Sequence, residues 1–287
     1  MVLVIQPLGG LCNRMRVLDA AIAFAIQNNQ RLLIIWSLNK DLNCGFKDLF
    51  LPINEKTIVF EIDDSIKYFA NQLIKFSFRL SGKYYDNNYF EDFLGSELDG
   101  WLCGMYSQEN ELEKVTKGIF QGEKVAYAAT CHRFYRSIKP FSDFKPTQAI
   151  QEKIDALTRN FESVVGVHIR RSDNQWSINH SPTSKFIELM KDEIDKQSDV
   201  KFFLATDCSS DQKKIQDLFS GRVITYQKTS LDRNSSSAIQ DAMVDLYALS
   251  KTRKLIGSYA SSFTKTASMI GGMETVIVGF PDSYQSH

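Results

Sequence analysis

The sequence predicts an α/β fold with parallel sheets, and three observations carry that prediction. The second half alternates short runs rich in Val, Ile, Phe and Leu with amphipathic helical stretches. That is the pattern of a parallel sheet covered on both faces. The chain opens on a strand, a glycine turn, a helix and a second strand, a unit that closes right-handed with its strands parallel. A length of 287 residues exceeds the usual size of one domain and favours two.

Taken in order, the first strand is Val2–Ile5, followed by a turn over Pro7–Leu11 and a helix from Asn13 to Gln27. Val17, Leu18, Ala21, Ile22, Ala25 and Ile26 recur every three to four residues and give that helix one apolar face. A second strand spans Arg31–Trp36. From Ser37 to Arg136 the pattern weakens. A strand is expected over Thr57–Ile62, a helix over Asp64–Phe78 and turns over Ser81–Asn88, and the aromatic-rich remainder shows no assignable period.

Two prolines flank the polar stretch Lys139–Pro146 and mark a boundary, giving domains of residues 1–140 and 141–287. Beyond it the elements alternate: helix Thr147–Phe161, strand Val164–Ile169, helix Thr183–Lys196, strand Lys201–Ala205 and helix Ser210–Phe219. Strand Arg222–Thr225, helix Ser237–Ser250, strand Lys254–Ile256, helix Ser262–Ile270 and strand Thr275–Val278 complete a Rossmann-like domain. Gly271 and Gly272 supply a helix stop, and Asn234–Ser237 reads as a mobile loop.

Composition narrows the function classes. Thirty-four basic and 34 acidic residues leave no formal net charge, which argues against broad attraction to nucleic acid and leaves a local basic pocket open. The five cysteines are scattered and odd in number, without zinc spacing, so free thiols are expected rather than a disulfide framework. The N-terminus lacks the basic region and cleavage site of a signal peptide, and no run approaches the ~20 apolar residues that span a bilayer. A cytoplasmic protein is expected, with peripheral membrane contact left open.

In open α/β sheets, ligands bind outside the carboxyl ends of the strands, so the residues just beyond each strand are the ones to inspect. His168 ends one strand and Arg170, Arg171 and Asp173 come after it; Thr206 and Asp207 come after the next. Gly257, Ser258, Ser261 and Ser262 succeed a third, and Gly9, Gly10 and Asn13 succeed the first strand of the chain. Adjacent arginines match phosphate oxygens, and a helix opened by Ser261 and Ser262 offers free N–H groups to an anion. Asp207 and His168 suit the edge of a base or a ribose.

Each cluster also has a plainer reading. The arginine pair could be a salt-bridged loop, Ser261 an N-cap, Thr206–Asp207 a capping turn, and His168 a satisfied core histidine. The common placement at strand ends favours the functional readings. The P-loop, the Gly-x-Ser-x-Gly elbow, the His-Glu-x-x-His helix and the Gly-x-Gly-x-x-Gly dinucleotide turn are absent from the sequence, as is Asp-x-Asp at a strand end. Metal dependence is therefore not expected.

Val167-His168-Ile169-Arg170-Arg171-Ser172-Asp173 resembles the first motif of the α1,2-, α1,6- and protein O-fucosyltransferase superfamily. Leu204-Ala205-Thr206-Asp207 resembles its second motif, and Gly257 through Phe263, followed by Ala267, resembles its third. Gly9-Gly10-Leu11-Cys12-Asn13-Arg14-Met15 resembles its N-terminal turn, with Cys12 in place of Gly and Arg14 in place of Gln.

The resemblance implies the GT-B arrangement of two facing Rossmann-like domains, the C-terminal one binding a GDP-sugar, GDP-fucose foremost. It implies an inverting glycosyltransferase with no cofactor and no metal, acting on a glycan or glycolipid acceptor. Arg170 would meet the β-phosphate and stabilise the leaving group, His168 and Asp207 the guanosine, and Ser261 and Ser262 a phosphate. Phe263 would lie against base or ribose, Asp173 and Arg171 would organise the loop, Gly9 and Gly10 would bind the donor, and Asn13 would approach the donor phosphate or acceptor hydroxyl. A different nucleotide sugar, or a non-catalytic glycan-binding relative, is the alternative. Arg16 is expected to be solvated, and Arg14 either faces the donor or is solvated as well.

Overall fold

The structure, a computed structural model, describes residues 2–63, 67–94, 125–228 and 234–279. The chain divides into two units, Met1–Thr147 with Asp232–Ile239, and Gln148–Leu231 with Gln240–His287.

The first unit contains β1 (Val2–Pro7), α1 (Leu11–Gln27), β2 (Arg31–Leu38), the short α2 (Phe46–Leu49), β3 (Thr57–Asp63), α3 (Lys67–Leu80), β4 (Tyr84–Tyr85), α4 (Asn87–Leu94) and β5 (Val125–Thr130). Its sheet has the order β3-β2-β1-β5-β4, every pair parallel. Strand β1 lies in the middle, with Leu3 and Ile5 fully buried. The helix α1 covers one side with Leu11, Met15, Leu18 and Ile22, all buried. On the other sheet face, Val4, Tyr127 and Ala129 form a small core that Leu33, Ile35, Phe78 and Tyr84 extend.

In the second unit, α5 (Gln148–Thr158), β6 (Val165–Ile169), α6 (Gln175–His180), α7 (Thr183–Lys196), β7 (Phe202–Thr206) and α8 (Ser209–Leu218) come first. They are followed by β8 (Val223–Ile224), α9 (Ser236–Ser250), β9 (Lys254–Ser258), α10 (Ser262–Gly271) and β10 (Glu274–Val278). The first turn of α9 belongs to the first unit. The sheet order is β10-β9-β6-β7-β8, again all parallel. Every residue of β6 and β7 is buried, because helices cover both faces. Val165, Val167, Ile169, Phe186, Met190, Phe202, Leu204 and Ile256 lie in one core cluster. The stop at the end of α10 is Gly272, left-handed at φ 62°, whose amide donates to the Ser268 carbonyl at 2.8 Å.

Several sequence expectations are corrected. The helix α1 starts at Leu11, so Asn13 stands in its first turn. Two of the turn residues expected over Ser81–Asn88, Tyr84 and Tyr85, pair as β4, and Asn87 opens α4. The sequence Val-Ala-Tyr-Ala-Ala-Thr of β5 shows no alternation because it is buried on both faces, and its alanines carry little strand propensity. The loop expected over Asn234–Ser237 is helical from Ser236. Residues 64–66 of the helix expected over Asp64–Phe78 lie outside the described residues. The stretch Lys139–Pro146 packs within the first unit, where Phe50 and Pro146 form an antiparallel bridge.

Cys12, Cys44, Cys131 and Cys208 are free thiols. Among the described residues no helix is long and apolar enough to cross a membrane. Nor, among them, do three or more His, Cys, Asp or Glu side chains gather as a metal would need.

Candidate functional site

In the second sheet the strand order reverses at β6, which lies between β7 and β9. This is the switch point where a parallel sheet leaves a crevice at its carboxyl edge. Ser258, the last residue of β9, ties the strands together there. Its Oγ accepts from the Arg170 amide at 2.9 Å and donates to the His168 carbonyl at 3.2 Å.

Asp207 organises the exit of β6. Its carboxylate accepts from Arg170 Nη1 at 2.5 Å, the Arg171 amide at 2.7 Å, Ser172 Oγ at 2.7 Å and the Ser172 amide at 3.2 Å. Burial acts to raise the Asp207 pKa. The Arg170 charge and these hydrogen bonds outweigh it and hold the carboxyl below its ordinary value. Arg170 also pairs with the exposed Asp173. Two carboxylates thus hold its guanidinium, and the Arg170 side chain is 18% exposed.

Arg171 points elsewhere and is engaged in the structure. Its Nε meets Asp211 at 3.0 Å, and Nη2 meets the Ser181 carbonyl at 2.6 Å and Thr183 Oγ1 at 3.0 Å. Both of the adjacent arginines are ion-paired, and their side chains are 18% and 15% exposed.

His168 is buried. Its ring stacks on Phe263 with centroids 4.8 Å apart and an interplanar angle of 22°, and Nδ1 lies 2.7 Å from Thr264 Oγ1. Burial pushes its pKa down to about 3, with Arg170 and Lys228 acting the same way and Asp207 opposing, so the imidazole is neutral. Gly257 allows this packing, since a Cβ there would collide with Thr264 Cγ2.

The helix α10 opens at this edge. Ser261 is its N-cap, accepting from the Thr264 amide at 3.4 Å, and Ser262 is its first residue. Ala260 before it adopts φ 51°, a left-handed conformation that is uncommon for a residue with a side chain. The segment 174–181 holds it there: Asn174 donates to the Ala260 carbonyl at 2.9 Å, and Ser177 to that of Tyr259 at 2.6 Å. The Tyr259 amide donates to Ser181 at 2.8 Å.

Thus His168, Arg170, Arg171, Asp173, Thr206, Asp207, Ser261, Ser262 and Phe263 share one sheet edge. Three of the plainer readings describe what is there, since Ser261 is an N-cap, His168 a satisfied buried histidine, and Arg170 and Arg171 are salt-bridged within their loop. The capping reading of Asp207 is corrected: the N-cap of α8 is Cys208, and Asp207 binds the neighbouring loop instead.

Gly9, Gly10 and Asn13 form their own cluster at the exit of β1 in the first unit. Gly9 adopts φ 77°, and a Cβ on it would stand 2.9 Å from Asn13 Nδ2. Arg14 is fully buried beneath this turn, donating to the Gly9 carbonyl at 2.7 Å, the Ser37 carbonyl at 2.5 Å and Asn39 Oδ1 at 2.9 Å. It is therefore neither solvated nor facing a donor. Arg16 is not merely solvated either, because its Nε donates to the Cys131 carbonyl at 2.6 Å.

Sequence reasoning missed Lys228. It lies beyond β8, and its Nζ donates to the Thr206 carbonyl at 2.7 Å and pairs with Asp245 at 2.7 Å. Asp245 is buried on α9, and burial raises its pKa to about 6 despite the lysine. Only the sheet order brings Lys228 to this edge; no local pattern announces it.

No protein-family model and no curated protein matches the sequence. Solved structures do. The fucosyltransferase NodZ from Bradyrhizobium shares 18% identity at a TM-score of 0.60, covering 100% of this chain and 96% of its own. NodZ α-1,6-fucosyltransferase soaked with GDP-fucose aligns at the same identity and TM-score, over 100% of this chain and 97% of its own. A variant of Arabidopsis thaliana FUT1 in complex with GDP shares 13% identity at a TM-score of 0.60, over 96% of this chain and 69% of its own. POFUT1 in complex with GDP also shares 13%, at a TM-score of 0.52, over 97% and 99%. With its two parallel five-stranded sheets, the chain has the GT-B fucosyltransferase fold of NodZ and POFUT1.

Proposed function

We propose that the chain is a glycosyltransferase that moves fucose from GDP-fucose to a glycan-type acceptor, with inversion and without a metal. The observation that carries this reading is the partly exposed Arg170, held by Asp207 and Asp173 at the same sheet edge as the N-terminus of α10. Both lie at the switch point of a sheet whose fold is shared with proteins solved with GDP and GDP-fucose.

In this reading the second unit, close to residues 141–287, binds the donor. The acceptor hydroxyl forms a bond to the anomeric carbon as the bond to the diphosphate breaks; GDP leaves with the electron pair, and the hydroxyl proton passes to the departing phosphate. Negative charge grows on the β-phosphate. Arg170 and the free amides at the start of α10, with Ser261 and Ser262, stand where fixed donors stabilise that charge without reorganising. Phe263 and His168 present a stacked pair beside the base or ribose, and the buried imidazole meets it as a neutral group. Thr206 and Asp207 fix the strand exit, and Arg171 holds the loop's shape. The first unit, close to residues 1–140, takes the acceptor, with Asn13 at its β1 exit. A cytoplasmic role in polysaccharide assembly goes with this reading.

The test is a thermal-unfolding titration with GDP, GDP-fucose, UDP and ADP, followed by a donor-hydrolysis assay. A ligand at ~100 times its dissociation constant adds ~2.7 kcal/mol of stability. Stabilisation by GDP and GDP-fucose alone is the expected result. Stabilisation by UDP or ADP instead moves the assignment to another donor, and none at all removes it.

A further inference from the structure

The short helix α6 is fixed on its inner side by the exits of two strands. Ser177 Oγ donates to the Tyr259 carbonyl at 2.6 Å and Asn174 to that of Ala260 at 2.9 Å, both just beyond β9. Ser181 Oγ donates to the Val278 carbonyl at 2.7 Å, where β10 ends. Gly279 comes so close that a Cβ on it would stand 1.8 Å from the His180 carbonyl oxygen. Holding Ala260 in its left-handed conformation uses this inner side alone and leaves the outer one unexplained.

On the outer side Gln175, Trp176, Asn179 and His180 are all exposed. They form two pairs spaced four residues apart in adjacent rows, so the four side chains share one face. The Trp176 ring stacks on that of His180, with centroids 5.4 Å apart and an interplanar angle of 22°. The His180 ring in turn lies 5.0 Å from that of Tyr259. Trp176 is nevertheless 51% exposed. The helix therefore presents a flat aromatic surface, backed by other rings and flanked by two amides.

From this arrangement we infer that the outer face of α6 is a subsite for a pyranose ring of an uncharged glycan. Such a ring shows an apolar C–H face and a rim of hydroxyls. Trp176 and His180 match the face, and the amides of Gln175 and Asn179, each both donor and acceptor, match the hydroxyls. Charge selects against other occupants. Residues 172–182 include no Lys or Arg, and Arg170 and Arg171 before them are already ion-paired, so neither an acidic sugar nor an anionic membrane is drawn to the face. Two rings also fall far short of the ~800 Å² per side that a stable protein contact buries. Place favours the same occupant, because the loop that carries Arg170 and Asp173 leads directly into α6, and Tyr259 precedes the start of α10. In the transferase reading the ring is one of the acceptor's; for that role alone the inference rests on that reading.

The test is fluorine NMR of the full chain labelled with fluorotryptophan, with affinities read by calorimetry. Of the three tryptophans, Trp36 is fully buried and serves as the internal reference, and the line lost in Trp176→Tyr assigns Trp176. The probes are cellotetraose and a β-linked galactose tetrasaccharide, with sorbitol as a control that has hydroxyls but no ring. The Trp176 line is expected to move saturably with at least one tetrasaccharide and not with sorbitol, while the Trp36 line stays in place. Trp176→Ala is expected to weaken binding at least about tenfold, and Gln175→Ala with Asn179→Ala at least about fivefold. Trp176→Tyr keeps a flat ring and is expected to bind within about threefold of the parent. No shift with either tetrasaccharide, an equal shift with sorbitol, or equal binding by the alanine variants overturns the inference. Where Trp176→Ala does not fold, the amide double variant, changed at exposed positions only, decides by the same criterion. GDP stabilisation is read on the same samples. Its absence from a parent that binds the sugar sinks the transferase reading and leaves the subsite standing; sugar binding absent from a parent that GDP stabilises overturns the subsite alone.

Discussion

The two sheets share a plan and use it differently. Each sets five parallel strands around a central one, β1 between β2 and β5, and β6 between β7 and β9. Each places an arginine just beyond the central strand. In the first unit Arg14 has no exposed surface, and its donors end on the carbonyls of Gly9 and Ser37 and the amide oxygen of Asn39. In the second, Arg170 is held by carboxylates at the surface while Arg171 saturates the loop behind it. One residue type thus has two uses. A guanidinium surrounded by backbone oxygens fixes a turn, whereas one held by carboxylates with part of its side chain exposed is positioned without being sealed from solvent.

Removing the two arginines one at a time is the strongest test of that distinction. Arg170→Ala is expected to lower transfer at least about 10²-fold, the usual loss for one transition-state donor, while the far-UV circular dichroism remains that of the parent. Near-normal turnover would return Arg170 to the structural class of Arg14. Arg14→Ala is expected to do the reverse and act through stability. It orphans three acceptors and opens a cavity, costing about 3–5 kcal/mol in urea unfolding. A loss under ~1 kcal/mol would mean that water replaces the guanidinium.

A smaller effect concerns protons in the second unit. The His168 pKa lies far below that of a free histidine, so the unfolded chain binds the proton first. Stability on its account is present above about pH 6.5 and is lost as pH falls towards about 3, amounting to about 2 kcal/mol by pH 5. Asp245, raised to about 6, acts in the opposite direction: its burial cost is relieved as pH falls through that value. Urea midpoints at several pH values should show the acid-side loss in the parent and a flatter profile in His168→Gln. An unchanged profile would place a proton acceptor other than His168 behind the loss.

The smallest effect separates the two helix starts. Ser261 caps α10 through its side chain, whereas Gly10 opens α1 without a side-chain cap. Ser261→Ala is expected to cost ~1 kcal/mol and Gly10→Ala within about 0.5 kcal/mol, both read from chemical unfolding. Equal costs would show that the serine hydroxyl is not what stabilises α10.

The second unit was the more legible in the sequence, for a physical reason. Its long helix α7 carries one apolar face, and its strands are short apolar runs set between helices, so period and punctuation agree. The strand-end cluster could be read from that order alone. The strand β5 was hidden because a strand buried on both faces does not alternate, and α6 because six residues held by an Asn174 cap, two of them apolar, are too few to show a helical period. Lys228 was hidden because its place depends on β8 joining the sheet beside β7, a pairing only two residues long. Arg14 and Arg16 were misread because an arginine on a helix looks the same in sequence whether it meets water or buried carbonyls.

The pairing of β1 with β5 has a consequence for how the protein is made. On the edge away from β2, Val2 pairs with Val125 and Pro7 with Thr130. A chain emerging from the ribosome can join β1 to β2 early, yet one edge of its first strand stays open until the residues of β5 have been synthesised. Until then a row of unpaired amides and carbonyls, flanked by Leu3 and Ile5, is offered to any passing strand. Nascent chains halted before Val125 should therefore need chaperone protection, and those halted after Thr130 should need it far less.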